Sequence, residues 1–175
     1  MKLSRWNCLK RYRLARKCIL AFLQSSQVSG SESFVWDDLA AGRRDVADCH
    51  AWMKSKYKID EAQVVIGGFS GGAAMAMDAA LRQVIPAAGF IALCPGGVLP
   101  GRADMDVFRQ AAGKGLAGQI IAGEKDDPEE AKALVDLFAE AGLRVGLSVV
   151  PGLGHTFPAD LPARLDQAVA LLLEP

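Results

Sequence analysis

Apolar and polar residues alternate in blocks along this chain. "KCILAFLQ" (17–24) is an apolar run of buried-strand length, and "SSQVSGSESFVWDD" (25–38) after it is a polar loop. Over 38–57, Val46, Cys49, Met53 and Tyr57 recur at helical spacing and predict a helix with one apolar face. "AQVVIGG" (62–68) is a β-branched run closed by two glycines. The alanine- and methionine-rich stretch 71–83 follows it, so a strand and then a helix are expected. "GFIALCPGG" (89–97) predicts another strand. Residues 98–118 have no clear period, leave room for one short helix, and form a candidate lid loop. "QIIAGE" (119–124) and "RVGLSVVPG" (144–152) predict two more strands. Between them, 128–141 reads as a helix with Ala131, Leu134, Val135 and Phe138 inward. The last helix spans 160–174, with Asp160 placed to cap it and Leu161, Leu165, Ala168 and Leu172 inward.

About five strands, each apolar along its length and alternating with helices, imply an α/β fold. Its sheet is mostly parallel and covered by helices on both faces. No linker, repeat or low-complexity segment divides residues 1–175, so one domain is expected. Ligands of such sheets sit at the carboxyl ends of the strands. The polar residues that follow each strand are therefore the candidates for chemistry.

The first is Ser70, in Gly68-Phe69-Ser70-Gly71-Gly72. A G-x-S-x-G on a strand-to-helix turn forces the serine into a tight, strained conformation that lifts its hydroxyl clear of the sheet. The following helix aims its first N–H groups at developing negative charge, and the Gly71 N–H is placed to contact an oxyanion. A glycine-rich turn with Ser70 as a simple cap would also account for the small residues. A serine needs a base to become a nucleophile. The chain has two histidines. His50 falls mid-helix beside Trp52, whereas His155 follows the last strand in "VVPGLGHTFP". The acid is sought after the preceding strand, in "IIAGEKDDPEE". Asp127 has a local job, because Asp127-Pro128-Glu129-Glu130 is a helix start with Asp as cap and Pro at the first position. Asp126 has none and is taken as the residue that orients the imidazole.

Composition changes the picture little. The formal net charge is zero and 51% of the residues are hydrophobic, which speaks against disorder and against a nucleic-acid partner. The charge is uneven. Lys2, Arg5, Lys10, Arg11, Arg13, Arg16 and Lys17 precede the first acid, Glu32, and residues 1–17 read as a basic helical segment. The apolar "CILAFL" after it is shorter than a secretory core or a spanning helix of about 20 residues. No metal-ligand spacing joins Cys8, Cys18, Cys49 and Cys94. They read as buried free thiols of a cytoplasmic protein, with no metal and no cofactor expected.

The stretches "LQSSQV" with "FVWDD", "GGFSGGAAMA", "GEKDD" and "GLGHTFP" resemble the phospholipase/carboxylesterase branch of the α/β hydrolases, over about residues 18–175. That branch includes acyl-protein thioesterases and dienelactone-hydrolase-like enzymes. The resemblance implies an ester or thioester substrate and an acyl-enzyme on Ser70, with His155 as base and Asp126 as acid. It also implies substrate contacts from Trp36, Phe69 and Gln24, while Met75 and Phe157 fit the core equally well. The chain departs from the family at its start. The family's sheet has further strands before the one matching "CILAFLQ", and the last of them carries a His-Gly loop with the second oxyanion N–H. Three readings follow: an esterase, a weakly active or non-catalytic remnant that binds a ligand or partner, or a reading frame that begins upstream of Met1. In the remnant case the N–H of Gln24 or Ser25 is the candidate replacement donor. An open sheet edge would favour self-association.

Overall fold

The computed structural model describes residues 18–31 and 33–173. In chain order the elements are β1 (Gln27–Val28), β2 (Phe34–Val35), α1 (Leu39–Lys56), β3 (Val65–Phe69), α2 (Gly71–Leu81), β4 (Gly89–Leu93), α3 (Met105–Gly113), β5 (Ala117–Gly123), α4 (Pro128–Glu140), β6 (Arg144–Val150) and α5 (Leu161–Leu173). Single 3-10 turns lie at Glu61–Gln63 and Arg102–Asp104. β3, β4, β5 and β6 pair in that order, all parallel, and β1 with β2 makes a small antiparallel pair. The register sets Phe69 opposite Leu93 and Leu93 opposite Ile121. The loops that leave β3, β4 and β5 therefore emerge side by side at one end of the sheet.

β4 shows why these strands are apolar throughout. Phe90 and Ala92 join the core formed with α2, α3 and α4, around Met77, Phe108, Leu134 and Phe138. Ile91 and Leu93 point the other way, onto Leu161, Ala168 and Leu172 of α5. Both faces of the strand are covered, so alternation disappears. Phe138 anchors the first core, with Phe108 edge-on at 5.0 Å and Phe90 at 6.0 Å. Burial of side chains this size contributes about 1.5–3 kcal/mol each.

α2 is buried from Ala73 to Leu81. Its one buried charge, Asp78, accepts from Arg43 of α1 (2.6 and 2.9 Å) and from Arg82 (2.8 Å). Arg82 also reaches Asp104, tying the 102–104 turn to the same network. α1 is capped by Asp38, whose carboxylate accepts the Ala41 N–H, and it buries Gly42, Val46 and Cys49. A Cβ at Gly42 would fall on the Met75 sulfur, so this glycine sets how closely α1 approaches α2. Tyr57, expected on the apolar face, lies just past the helix and is exposed.

Not every sequence expectation holds. "CILAFLQ" is not a strand: residues 18–24 carry no regular structure, Ile19 and Phe22 are exposed, and among the described residues the main sheet has four strands. Partial burial, and then the charge of Asp166, raise the Cys18 thiol. Leu23 packs against the cluster of Val46, Met75, Ala79 and Ile85. The run is thus anchored by a side chain and not by a strand ladder, which needs a neighbour running alongside. Residues 98–118 contain a short helix, as expected. It is α3, which sends Met105, Phe108 and Ala111 into the core, and Leu99 before it packs on the same core. Asp160 stands at the cap position of α5, its carbonyl accepting the Arg164 N–H at 3.2 Å, but its carboxylate accepts from the Arg164 side chain at 2.8 Å rather than from a first-turn N–H. Of the cysteines, Cys49 and Cys94 are buried and Cys18 is exposed. Cys8 and the basic segment 1–17 lie outside the described residues.

Candidate active site

Ser70 occupies the turn between β3 and α2 at φ 55° and ψ −125°, a backbone conformation that costs an L-residue of order 1–3 kcal/mol. Hydrogen bonds on both sides hold it there. The Ser70 N–H continues the sheet by donating to the Leu93 carbonyl at 3.0 Å. Its own carbonyl accepts from Ala73 at 2.9 Å, Ala74 at 3.2 Å and Gly96 at 3.3 Å. The flanking glycines divide into two kinds. A Cβ on Gly68 would fall on the Gly72 carbonyl and the Ala73 nitrogen, whereas one on Gly71 would meet nothing. Gly68→Ala should therefore lower stability by about 3 kcal/mol, and Gly71→Ala by about 1 kcal/mol or less, as read from denaturant midpoints.

β5 and β6 deliver the other two residues. The loops after these strands are bonded to each other. Lys125 N–H donates to the Leu153 carbonyl at 2.8 Å, and Gly152 N–H donates to the Glu124 carboxylate at 2.7 Å. Within this brace, Asp126 meets His155 Nδ1 at 2.8 Å through Oδ2 and 3.0 Å through Oδ1. His155 Nε2 lies 2.9 Å from Ser70 Oγ. A carboxylate only accepts, so Nδ1 carries the ring proton and the Nε2 lone pair faces the hydroxyl. Ser70 then donates to Nε2. The residues predicted as nucleophile, base and acid thus form one hydrogen-bonded chain, drawn from three loops. Asp127 does cap α4: its carboxylate accepts the Glu130 N–H at 3.2 Å, with Pro128 in the first turn.

The remaining candidates are spread around this chain. Gly71 and Gly72 head α2, where helix geometry leaves their N–H groups without intrahelical partners. Phe69 sits against the His155 ring at a centroid distance of 4.9 Å and against Phe157 at 4.5 Å. Phe157 is exposed, while Met75 is a core residue between α1 and α2. Trp36 packs between Gly42 of α1 and Gly72 at the head of α2. Gln24 is exposed and precedes the buried Ser25. The Ser26 N–H is already committed to Asp45 at 2.8 Å. His50 lies mid-α1, its Nε2 buried without a hydrogen-bond partner.

Two neighbours of the site were not singled out from the sequence. Gly96 approaches closely enough that a Cβ there would lie 3.7 Å from Ser70 Oγ and 4.0 Å from His155 Cε1. Cys94, at the tip of β4, is buried at φ 44°, with Sγ 3.9 Å from the Gly154 carbonyl and 3.8 Å from that of Thr156. Burial, and then a hydrogen bond and the charge of Asp126, push its thiol up. Both follow a strand tip, the one signal that could have marked them.

A parallel sheet with Ser70 on the turn after β3, Asp126 after β5 and His155 after β6 has the order of an α/β hydrolase. A sequence profile of the phospholipase/carboxylesterase family matches residues 47–160, and the chain belongs to that family. No curated protein matches the sequence. Among solved structures, an uncharacterized protein from Bacillus cereus ATCC 10987 is 27% identical with a TM-score of 0.71. The match covers 85% of this chain and 49% of that one, so this chain spans about half the length of that protein. A carboxylesterase from Mesorhizobium loti shares the fold at 19% identity and a TM-score of 0.64, covering 90% of this chain and 75% of that one. Acyl-protein thioesterase 2 from Zea mays does so at 19% identity and 0.61, covering 89% and 75%. Among the described residues, no helix is long and apolar enough to cross a membrane.

Proposed function

We propose that this chain is a serine hydrolase of carboxylic esters or thioesters. The observation that carries the reading is the unbroken chain from Ser70 Oγ through His155 to Asp126, with links of 2.9 and 2.8 Å. In the proposed reaction, His155 Nε2 takes the Ser70 proton as Oγ attacks the ester carbonyl. Asp126 holds the imidazole in the tautomer that makes Nε2 a base and stabilises the cation that forms. The Gly71 N–H, at the positive end of α2, faces the oxygen on which charge develops. His155 then returns the proton to the leaving alcohol or thiol. Water, activated by the same nitrogen, releases the acid from Ser70. Trp36, Phe69 and Gln24 are proposed to contact substrate. Phe69 is also suited to steady the His155 ring, because its own ring lies tilted against it. The intact hydrogen-bonded chain supports catalysis over a purely ligand-binding remnant.

The direct test is hydrolysis of p-nitrophenyl esters together with labelling of Ser70 by a fluorophosphonate. Neither product nor label would refute the reading. Gly71 is the main-chain oxyanion donor assigned among the described residues, and an oxyanion held by one donor instead of two forms about 10²–10³ times more slowly. Activated aryl esters should therefore be cleaved far faster than simple alkyl esters. Equal acylation rates, read as kcat/KM, would show that a second donor operates, the N–H of Gln24 or Ser25 being the candidates. The Gly96 wall gives a further check. Its backbone has no left-handed φ to protect, so Gly96→Val should fold normally. The added methyls would crowd the nucleophile and base and lower kcat/KM by about a hundredfold. An unchanged rate would place the substrate elsewhere.

A further inference from the structure

The tip of β4 brings a third kind of donor atom to the back of the acid–base pair. Cys94 is pinned by its N–H, which donates to the Ile121 carbonyl of β5 at 2.8 Å, and its left-handed turn sends Sγ under the 154–156 loop. One ligand atom each from Cys94, Asp126 and His155 lies within 4.8 Å of the others. The set is a sulfur, a carboxylate oxygen and an imidazole nitrogen. We infer that Cys94, Asp126 and His155 form a binding site for a thiophilic divalent cation of the Zn²⁺ type, and that its occupancy switches the hydrolase off.

The chemistry of the donors selects the ion. Zn²⁺ accepts all three at about 2.0–2.3 Å in a tetrahedron, which needs donors about 3.5 Å apart. The Nδ1–Oδ2 pair at 2.8 Å must open slightly, and Sγ must close by about 1.3 Å at most, within the reach of side-chain rotation. Mg²⁺ and Ca²⁺ prefer all-oxygen shells and have no use for the sulfur. The His155 side chain is 46% exposed and that of Asp126 20%, so an ion can enter from solvent and keep a water in its fourth position.

Binding is balanced in protons and involves no change of oxidation state. The Cys94 S–H and the His155 Nδ1–H bonds break, and Zn–Sγ, Zn–O and Zn–Nδ1 bonds form. One of the two released protons ends on Nε2 and one goes to solvent. The imidazole stays neutral but changes tautomer. Nε2–H now donates to Ser70 Oγ instead of accepting from it, and the serine has lost its base. The inhibitory consequence rests on the proposed esterase reading; the metal site itself does not.

Cobalt(II) tests the site without activity, because a thiolate-to-cobalt charge-transfer band reports sulfur ligation. Wild type should develop this band at one equivalent and lose it when Zn²⁺ is added. Cys94→Ser and Asp126→Asn should each weaken the binding that gives the band by about a hundredfold or more. Absence of the band in wild type, or its survival unchanged in both variants, would overturn the proposal. On p-nitrophenyl ester hydrolysis, Zn²⁺ should inhibit wild type reversibly with respect to EDTA, and Mg²⁺ should not. Each protein being compared with its own rate without metal, Cys94→Ser should need about a hundredfold more Zn²⁺. Equal sensitivity of the two proteins, or equal inhibition by Mg²⁺, would also overturn it. A chain that shows the cobalt band yet hydrolyses nothing would leave the site standing and sink the esterase reading.

Discussion

Ser70→Ala should lose ester hydrolysis by a factor on the order of 10⁴–10⁶ and keep the thermal stability of the parent. The loss is large because nothing replaces the Ser70 hydroxyl opposite Nε2, where His155 accepts its proton at 2.9 Å. The fold should survive because the turn is held by main-chain groups. Leu93 and Gly96 bond the Ser70 backbone, and so does the first turn of α2. Alanine makes the same main-chain contacts and inherits the same strain at φ 55°. A glycine at 70 would relieve that strain, so Ser70→Gly should be equally inactive yet more stable than Ser70→Ala, by about 1 kcal/mol. Substantial hydrolysis by either variant would mean that another group attacks the ester.

Asp126→Asn should lower kcat by about 10⁴, and Asp127→Asn should barely change it. An amide at 126 can donate to the imidazole as well as accept from it, so the tautomer with Nε2 free as a base is no longer enforced. The shape of the site is kept and its proton logic is lost. At 127, asparagine tolerates the left-handed backbone and still accepts the Glu130 N–H, so the cap of α4 should cost about 1 kcal/mol or less. The measurement is kcat for both variants alongside their thermal midpoints. If the activity loss falls on Asp127 and the stability loss on Asp126, the acid has been assigned one residue too early.

The order strand, glycine-flanked serine, helix was legible because one peptide segment contains every part of it. β3, Ser70 and α2 are contiguous, and the strain, the glycines and the helix N-terminus are local properties. The same holds for the cap at Asp127, where the motif and its function lie within four residues. The choice of Asp126 was made by subtraction, since Asp127 already had a local role, and the geometry places Asp126 beside His155.

What misled was the environment of a segment. "CILAFLQ" has the apolar length of a buried strand, but strand formation needs a neighbour running alongside, and this run joins neither sheet, holding to the α1 and α2 cluster through Leu23. Its exposed Ile19 and Phe22 show that apolar residues do not by themselves create a partner. Asp160 likewise has the chemistry of a cap, yet Arg164 one turn later takes its carboxylate. Local sequence offers a polar side chain several partners, and packing selects among them.

By itself, then, the sequence determined the alternation of the strands and helices from β3 onward, the strained serine turn and the cap at Asp127, because these depend on residues a few positions apart. Only the tertiary structure decided which strand tips lie side by side. That lateral order rests on hydrogen bonds between Phe69, Leu93 and Ile121 and their neighbours, which are far apart in the chain. It is what sets Gly96 beside the Ser70 hydroxyl and gathers Cys94, Asp126 and His155 within 4.8 Å. No spacing along the chain encodes such a meeting, because the intervening helices and loops absorb any length that still lets the strands pair.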